Sequence, residues 1–148
     1  MGIENENYNL EKSVKLSHQL AVVALYKKIE LRIKVVCRIA LPELEAEKLP
    51  MNKYLEEGLK KRGVKIKELP SFRCFDKLRC INNAIKHGGV VGKELAKYSG
   101  WIKKENLLNI DVAFERLAPG CVSFISELVQ AIFDKQAEGV DDVQGVAV

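Results

Sequence analysis

The stretch "LRCINNAIKHGG", Leu78 to Gly89, decides how the rest of the chain is read. It has the apolar spacing of a helix. Yet it carries an arginine, two adjacent asparagines, a lysine and one of the chain's 2 histidines, and it stops at a glycine pair. Successive residues on a helix turn by about 100°. With Leu78 at zero, Phe75, Ile81 and Ile85 lie within roughly 60° of it and mark the core direction. Arg79, Asn83 and His87 step by four and share another face, with Lys86 alongside. Asn82 falls at the border of the apolar face, where its amide must find a hydrogen bond. The spacing predicts a helix from an N-cap at Ser71 to His87, ended by Gly88 and Gly89. A polar stripe of this kind is ordinarily a solvated helix face, and a histidine near a helix C-terminus is favoured by the dipole alone.

Working outward, residues 9–40 show one long helical pattern, with Leu16, Leu20, Val23, Ile29, Ile33, Val36 and Ala40 as its apolar stripe. The segment "LPELEAEKLP" ends it, because proline opposes helical geometry in the residue before it. A second helix is expected over residues 51–62, stopping at Gly63. After the glycine pair, "WIKKENLLNI" reads as a small hairpin around the polar "KKEN" turn. Asp111 caps a short helix to Leu117, "APG" breaks it, and residues 121–136 form a last helix. The tail from 137 to 148 is expected to be mobile. The expected fold is all-α: a four- to five-helix up-down bundle with a short irregular or hairpin insert before the last helices. It forms a single domain over 1–148 with its core at about 9–136.

The bulk numbers fit that plan. A chain of 148 residues, 47% hydrophobic and 30% charged, can bury a core without disulfides or metal. The net charge of +4 is too small to mark the whole protein as a polyanion binder. The charge is uneven, however. "KYLEEGLKKRGVKIKE" (53–68) is basic and contains Lys60, Lys61, Arg62 and Lys65, whereas Asp134, Glu138, Asp141 and Asp142 make the tail acidic. The run is either a solvated face or a surface for a partner. The 4 cysteines, Cys37, Cys74, Cys80 and Cys121, lack CxxC spacing and sit in helical patterns, so they are expected as buried thiols. The polar N-terminus shows no signal peptide and no myristoylation pattern, and no apolar run approaches a membrane span. A cytoplasmic protein without cofactor is expected.

Several chemistries fail on spacing. "HGGVVGKE" has three residues between Gly88 and Gly92 and a glutamate after Lys93, where a phosphate loop needs four and a Ser or Thr. Cys80 and His87 are one ligand pair, not a zinc site, so no metal is expected. No serine-nucleophile motif is present, and no second basic helix follows closely enough for a helix-turn-helix.

The motif helix resembles the signature helix of the HEPN superfamily, whose members are small helical bundles that usually dimerise. Many are metal-independent ribonucleases of toxin–antitoxin, phage-defence and CRISPR-linked systems. The motif is an arginine, often followed by a polar residue, then a histidine after four to six intervening residues. With His87 as the motif histidine, Asn82 occupies the arginine slot and Asn83 the polar position after it. The nearest arginine is Arg79, with seven residues between it and His87. The resemblance implies an endoribonuclease acting on RNA as a homodimer with a composite site, in company with an antitoxin or defence-system partner. His87, Arg79, Asn83 and Lys86 are its implied catalytic residues, and Lys60, Lys61, Arg62 and Lys65 its backbone contacts. The other reading is a non-catalytic module of the same fold for dimerisation or binding of RNA or a partner. His18 is expected at the surface or at the border of the apolar face, with a dimer cleft as the other reading, and Tyr98 and Trp101 anchor the insert or stack on bases.

Overall fold

The structure, a computed structural model, describes residues 2–48 and 52–144. The fold is an all-α helical bundle. The described residues hold four α-helices: α1 (Gly2–Ala40), α2 (Asn52–Lys61), α3 (Phe72–Lys86) and α4 (Ile110–Gln144). Three single 3-10 turns lie between them, at Ala46–Lys48, Ile66–Glu68 and Leu95–Lys97. Two compact units divide the chain: Met1–Lys28 with Cys74–Pro119, and Ile29–Arg73 with Gly120–Val148.

In the first unit, Val22 of α1, Phe75, Leu78 and Ile81 of α3, and Ile110 and Leu117 of α4 are buried, together with Leu95 and Leu107 from the intervening segment. Tyr26 stacks on Phe75 with ring centroids 6.1 Å apart. The expected stripe on α1 is corrected here, because Leu16 and Leu20 are 54% and 58% exposed while Val22 is fully buried. Apolar residues lie on more than one face of this helix, and the side that meets neighbours is set by packing rather than by composition.

The hairpin is also corrected. The polar turn forms, with Lys104 at φ 71° and the Glu105 N–H donating to Ile102 O at 3.1 Å. Its partner is the chain just after α3, not the other half of the same run. Val91 N donates to Glu105 O (2.8 Å), Lys104 N to Val91 O (3.0 Å) and Leu107 N to Gly89 O (2.8 Å), around one isolated antiparallel bridge, Val90–Asn106. The alternation pattern identified an extended run but not what it pairs with.

In the second unit, Ile29, Ile33 and Cys37 of α1, Leu55 and Leu59 of α2, and Phe124, Leu128 and Ile132 of α4 are buried. Gly63 ends α2 as expected: it adopts φ 78°, with Val64 N bonded to Leu59 O and Gly63 N to Lys60 O, both at 3.0 Å. This is the crossed pair of a glycine-terminated helix. Ser71 directly precedes α3, at the expected N-cap position, and it also binds α4. Its backbone N–H and hydroxyl donate to the two carboxylate oxygens of Glu127, at 2.8 and 2.6 Å. These part-buried, charge-assisted bonds tie the chain entering α3 to α4. Glu127→Ala is expected to lower stability by about 1.5–3 kcal/mol, read as a shifted urea midpoint with unchanged slope. A variant as stable as the parent would show that the pair contributes nothing.

The helix break at "APG" is corrected as well: α4 runs through Pro119 and continues to Gln144, past the start of the expected tail. Residues 145–148 lie outside the described part. Proline removes one helical hydrogen bond and crowds the carbonyl four residues back. Leu117, Cys121 and Phe124 are buried on either side of it, so burial on both flanks offsets the local cost. The same continuity alters the membrane reading. Within α4, Ile110–Gly139 is long and apolar enough to cross a membrane by length and composition, its most apolar window having mean hydropathy 1.3. One such helix is weak evidence, since the core helix of a soluble protein passes the same test, and α4 buries a full stripe from Ala113 to Ile132.

All four cysteines are free; Cys37, Cys80 and Cys121 are buried and Cys74 is half-buried. Burial pushes the Cys37 and Cys80 thiols up to about 11. The thiolate is the reacting species, so at pH 8 these two are expected to resist alkylation in the folded protein while Cys74 labels first. Peptide mapping after a brief iodoacetamide pulse checks this, and equal labelling of all four would contradict the burial.

Candidate functional site

Helix α3 carries the motif residues in the first unit, and the structure sorts them by environment. Asn83, Lys86 and His87 are exposed at its C-terminal end. None of their side chains has a hydrogen bond or ion pair among the described residues. His87 lies one residue past α3, but its backbone N–H still reaches Asn83 O at 3.0 Å, so the imidazole leaves from the last helical turn. Gly88 then adopts φ 92° and Gly89 N bonds back to Ala84 O at 2.9 Å. This glycine cap turns the chain away at once, which leaves the helix end open.

Arg79 is not part of that open end. Its Nε and Nη2 hold Asp76 Oδ1 at 3.0 and 2.8 Å, and only 19% of either side chain is exposed. The hydroxyl of Tyr98 donates to the other Asp76 oxygen, and Lys77 lies over the Tyr98 ring at 5.1 Å. Burial works against the guanidinium charge, but the Asp76 bond and charge hold its pKa above the ordinary value. The pair is thus a neutralised clamp between α3 and the Leu95–Lys97 turn. Tyr98 is an anchor of the insert, as one of its two readings expected.

Asn82, the residue in the arginine slot, is 1% exposed. Its Oδ1 and Nδ2 find no hydrogen-bond partner among the described residues. It belongs to the core rather than to its border. A buried amide without partners is costly, which makes this the one polar position inside α3's apolar face that packing alone does not justify.

The expected basic contacts lie in the second unit, around the end of α2. Arg62 is paired with Glu43 at 2.7 Å and Lys65 with Glu68 at 3.1 Å, whereas Lys60 and Lys61 are exposed and have no ion pair among the described residues. His18 is half-buried and lines an open groove of about 400 Å³ in the first unit, with Leu10, Val14, Leu107, Leu108 and Asp111. Among the described residues no group of three or more His, Cys, Asp or Glu side chains is placed to hold a metal ion. Comparison with known proteins finds no family model, no curated protein and no solved structure that matches this chain.

Proposed function

We propose that the protein is a HEPN-type helical domain that cleaves RNA without metal, as a homodimer, with His87 as its acid–base group. The observation that carries this reading is the exposed, unpartnered trio Asn83, Lys86 and His87 at the glycine-capped end of α3. Cleavage through the ribose 2′-hydroxyl needs a group to take that proton and one to protonate the leaving 5′-oxygen, and an imidazole titrates in the range suited to both. The pentacoordinate phosphate needs fixed positive charge, which the Lys86 ammonium supplies at the same helix end. Asn83 orients the imidazole or a phosphate oxygen. A two-fold pairing of α3 ends brings two His87 residues to one cleft, one for each proton transfer. Lys60 and Lys61 are free to meet the RNA backbone. A role as a toxin or phage-defence effector, with an antitoxin or defence-system partner, follows from the resemblance alone.

A second reading is favoured by a specific observation: the arginine slot holds a buried asparagine, and Arg79 is neutralised by Asp76. On that reading the domain binds RNA or a partner without cutting. Digestion of single-stranded RNA in excess EDTA, by the parent and by His87→Ala, separates the two. Cleavage by the parent alone supports the enzyme. Cleavage by both, or only with added metal, removes His87 chemistry, and RNA binding without cleavage selects the second reading.

A further inference from the structure

The segment after α3 and the start of α4 line an open pocket of about 300 Å³, with its polar residues exposed at the rim, that the His87 chemistry does not use. Its floor is apolar, with buried Val91 and Ala113, and the half-buried Trp101 forms part of its wall. Glu105, Asn106, Asn109 and Arg116 also line it, and none of these four side chains has a hydrogen bond or ion pair among the described residues. A carboxylate and a guanidinium thus share one cavity without pairing. Ligand sites have this composition: an apolar body with a few convergent polar groups. The backbone is also held in an unusual state around it. Gly100, Lys104 and Asn109 have φ of 90°, 71° and 53°, and the last two are the non-glycine residues of positive φ among the described residues. Strain of this kind gathers at binding sites.

From this cavity we infer a binding site for a purine nucleotide, with guanine as the preferred base. The Trp101 indole offers a flat, apolar face on which a base stacks, and stacking alone does not choose among bases. Glu105 supplies the choice. An ionised carboxylate only accepts hydrogen bonds, and guanine is the one common base with two adjacent N–H donors on its pairing edge. Arg116, about two turns into α4, supplies a fork for the 5′-phosphate. The two asparagine amides complete the set with both donors and acceptors. The cavity volume is at the small end of ligand sites, which suits one nucleotide rather than a longer ligand. The nucleotide is either free in solution or one unit of a single-stranded RNA, and the same contacts serve both.

The site stands apart from the cleavage reading, because it needs neither Lys86 nor His87. Trp101 is the chain's 1 tryptophan, so its emission reports the cavity directly. Titration of the full chain with GMP, AMP, CMP and UMP is expected to quench it most strongly with GMP. Glu105→Gln is expected to reduce the preference for GMP over AMP by roughly tenfold, and Arg116→Ala to weaken GMP by a similar factor while leaving guanosine unchanged. His87→Ala is expected to bind GMP as the parent does, even if it no longer cuts RNA. A uridine oligonucleotide with one internal guanosine separates the sources. Binding about tenfold or more tighter than GMP assigns the site to RNA, and weaker binding assigns it to the free nucleotide. Absence of quenching and of calorimetric heat with all four nucleotides would overturn the inference, as would GMP binding unchanged in both Glu105→Gln and Arg116→Ala.

Discussion

Asn82→Arg, the substitution that would complete the arginine slot of the motif, is expected to unfold or severely destabilise the protein rather than restore a catalytic site. Asn82 is 1% exposed, between the buried Ile81 and the buried Ala84 on the next turn. A guanidinium placed there must leave water without a partner, or force α3 away from its neighbours. Either route costs on the order of 3–5 kcal/mol, a large part of the stability of a domain this size. The partner experiment is Asn82→Leu. It removes two polar atoms that have no hydrogen bond among the described residues and keeps the number and branching of side-chain heavy atoms. Its stability is expected to match the parent's or exceed it by about 1–3 kcal/mol. Urea unfolding of the three proteins decides the matter. An arginine variant as stable as the parent would place residue 82 at the surface and contradict the packing of α3.

The second large effect concerns RNA. If cleavage is His87 chemistry, His87→Ala is expected to slow it by about 10²–10⁴-fold, the usual contribution of a positioned acid or base. The structure further orders the two cations. Lys86 is exposed and unpaired, so Lys86→Ala is expected to reduce cleavage with little change in stability. Arg79 is engaged by Asp76, so Arg79→Ala is expected to act mainly on stability, by leaving a half-buried carboxylate with only Tyr98 beside it. Cleavage rates normalised to the folded fraction separate these cases. A rate that depends on Arg79 and not on Lys86 would reverse the assignment of the phosphate-facing charge.

Much of the local structure was legible in the residues themselves. Gly63 and the Gly88–Gly89 pair end their helices because a left-handed residue closes the last turn, and glycine is the residue that adopts it freely. The apolar stripe of α3 also reads directly, since Phe75, Leu78 and Ile81 are all buried. Its polar stripe is only half as the spacing suggests. Residues at steps of four do share a face, but Arg79 sits deep enough for Asp76 and Tyr98 to hold it, while His87 is at an exposed end. Asp76 is three residues from Arg79 and could have been noticed from sequence; Tyr98, 22 residues from Asp76, could not. The cavity around Trp101 was invisible for the same reason, because its lining comes from both the loop before α4 and the first turns of α4.

The sequence by itself determined the helical class, the ends of α2 and α3, and the residues that gather at the exit of α3. These are matters of backbone stereochemistry and helical period, which act over one or two turns. Only the tertiary structure decided that Val22 rather than Leu16 or Leu20 is buried, that α4 continues through Pro119, that the polar turn pairs with Val90–Val91, and that Asn82 is interior. Each of those outcomes depends on which distant segment supplies the opposing surface. Local preferences differ by about 1 kcal/mol or less per ordinary residue, whereas a buried side chain contributes about 1.5–3 kcal/mol, so packing overrides the local signal wherever they disagree.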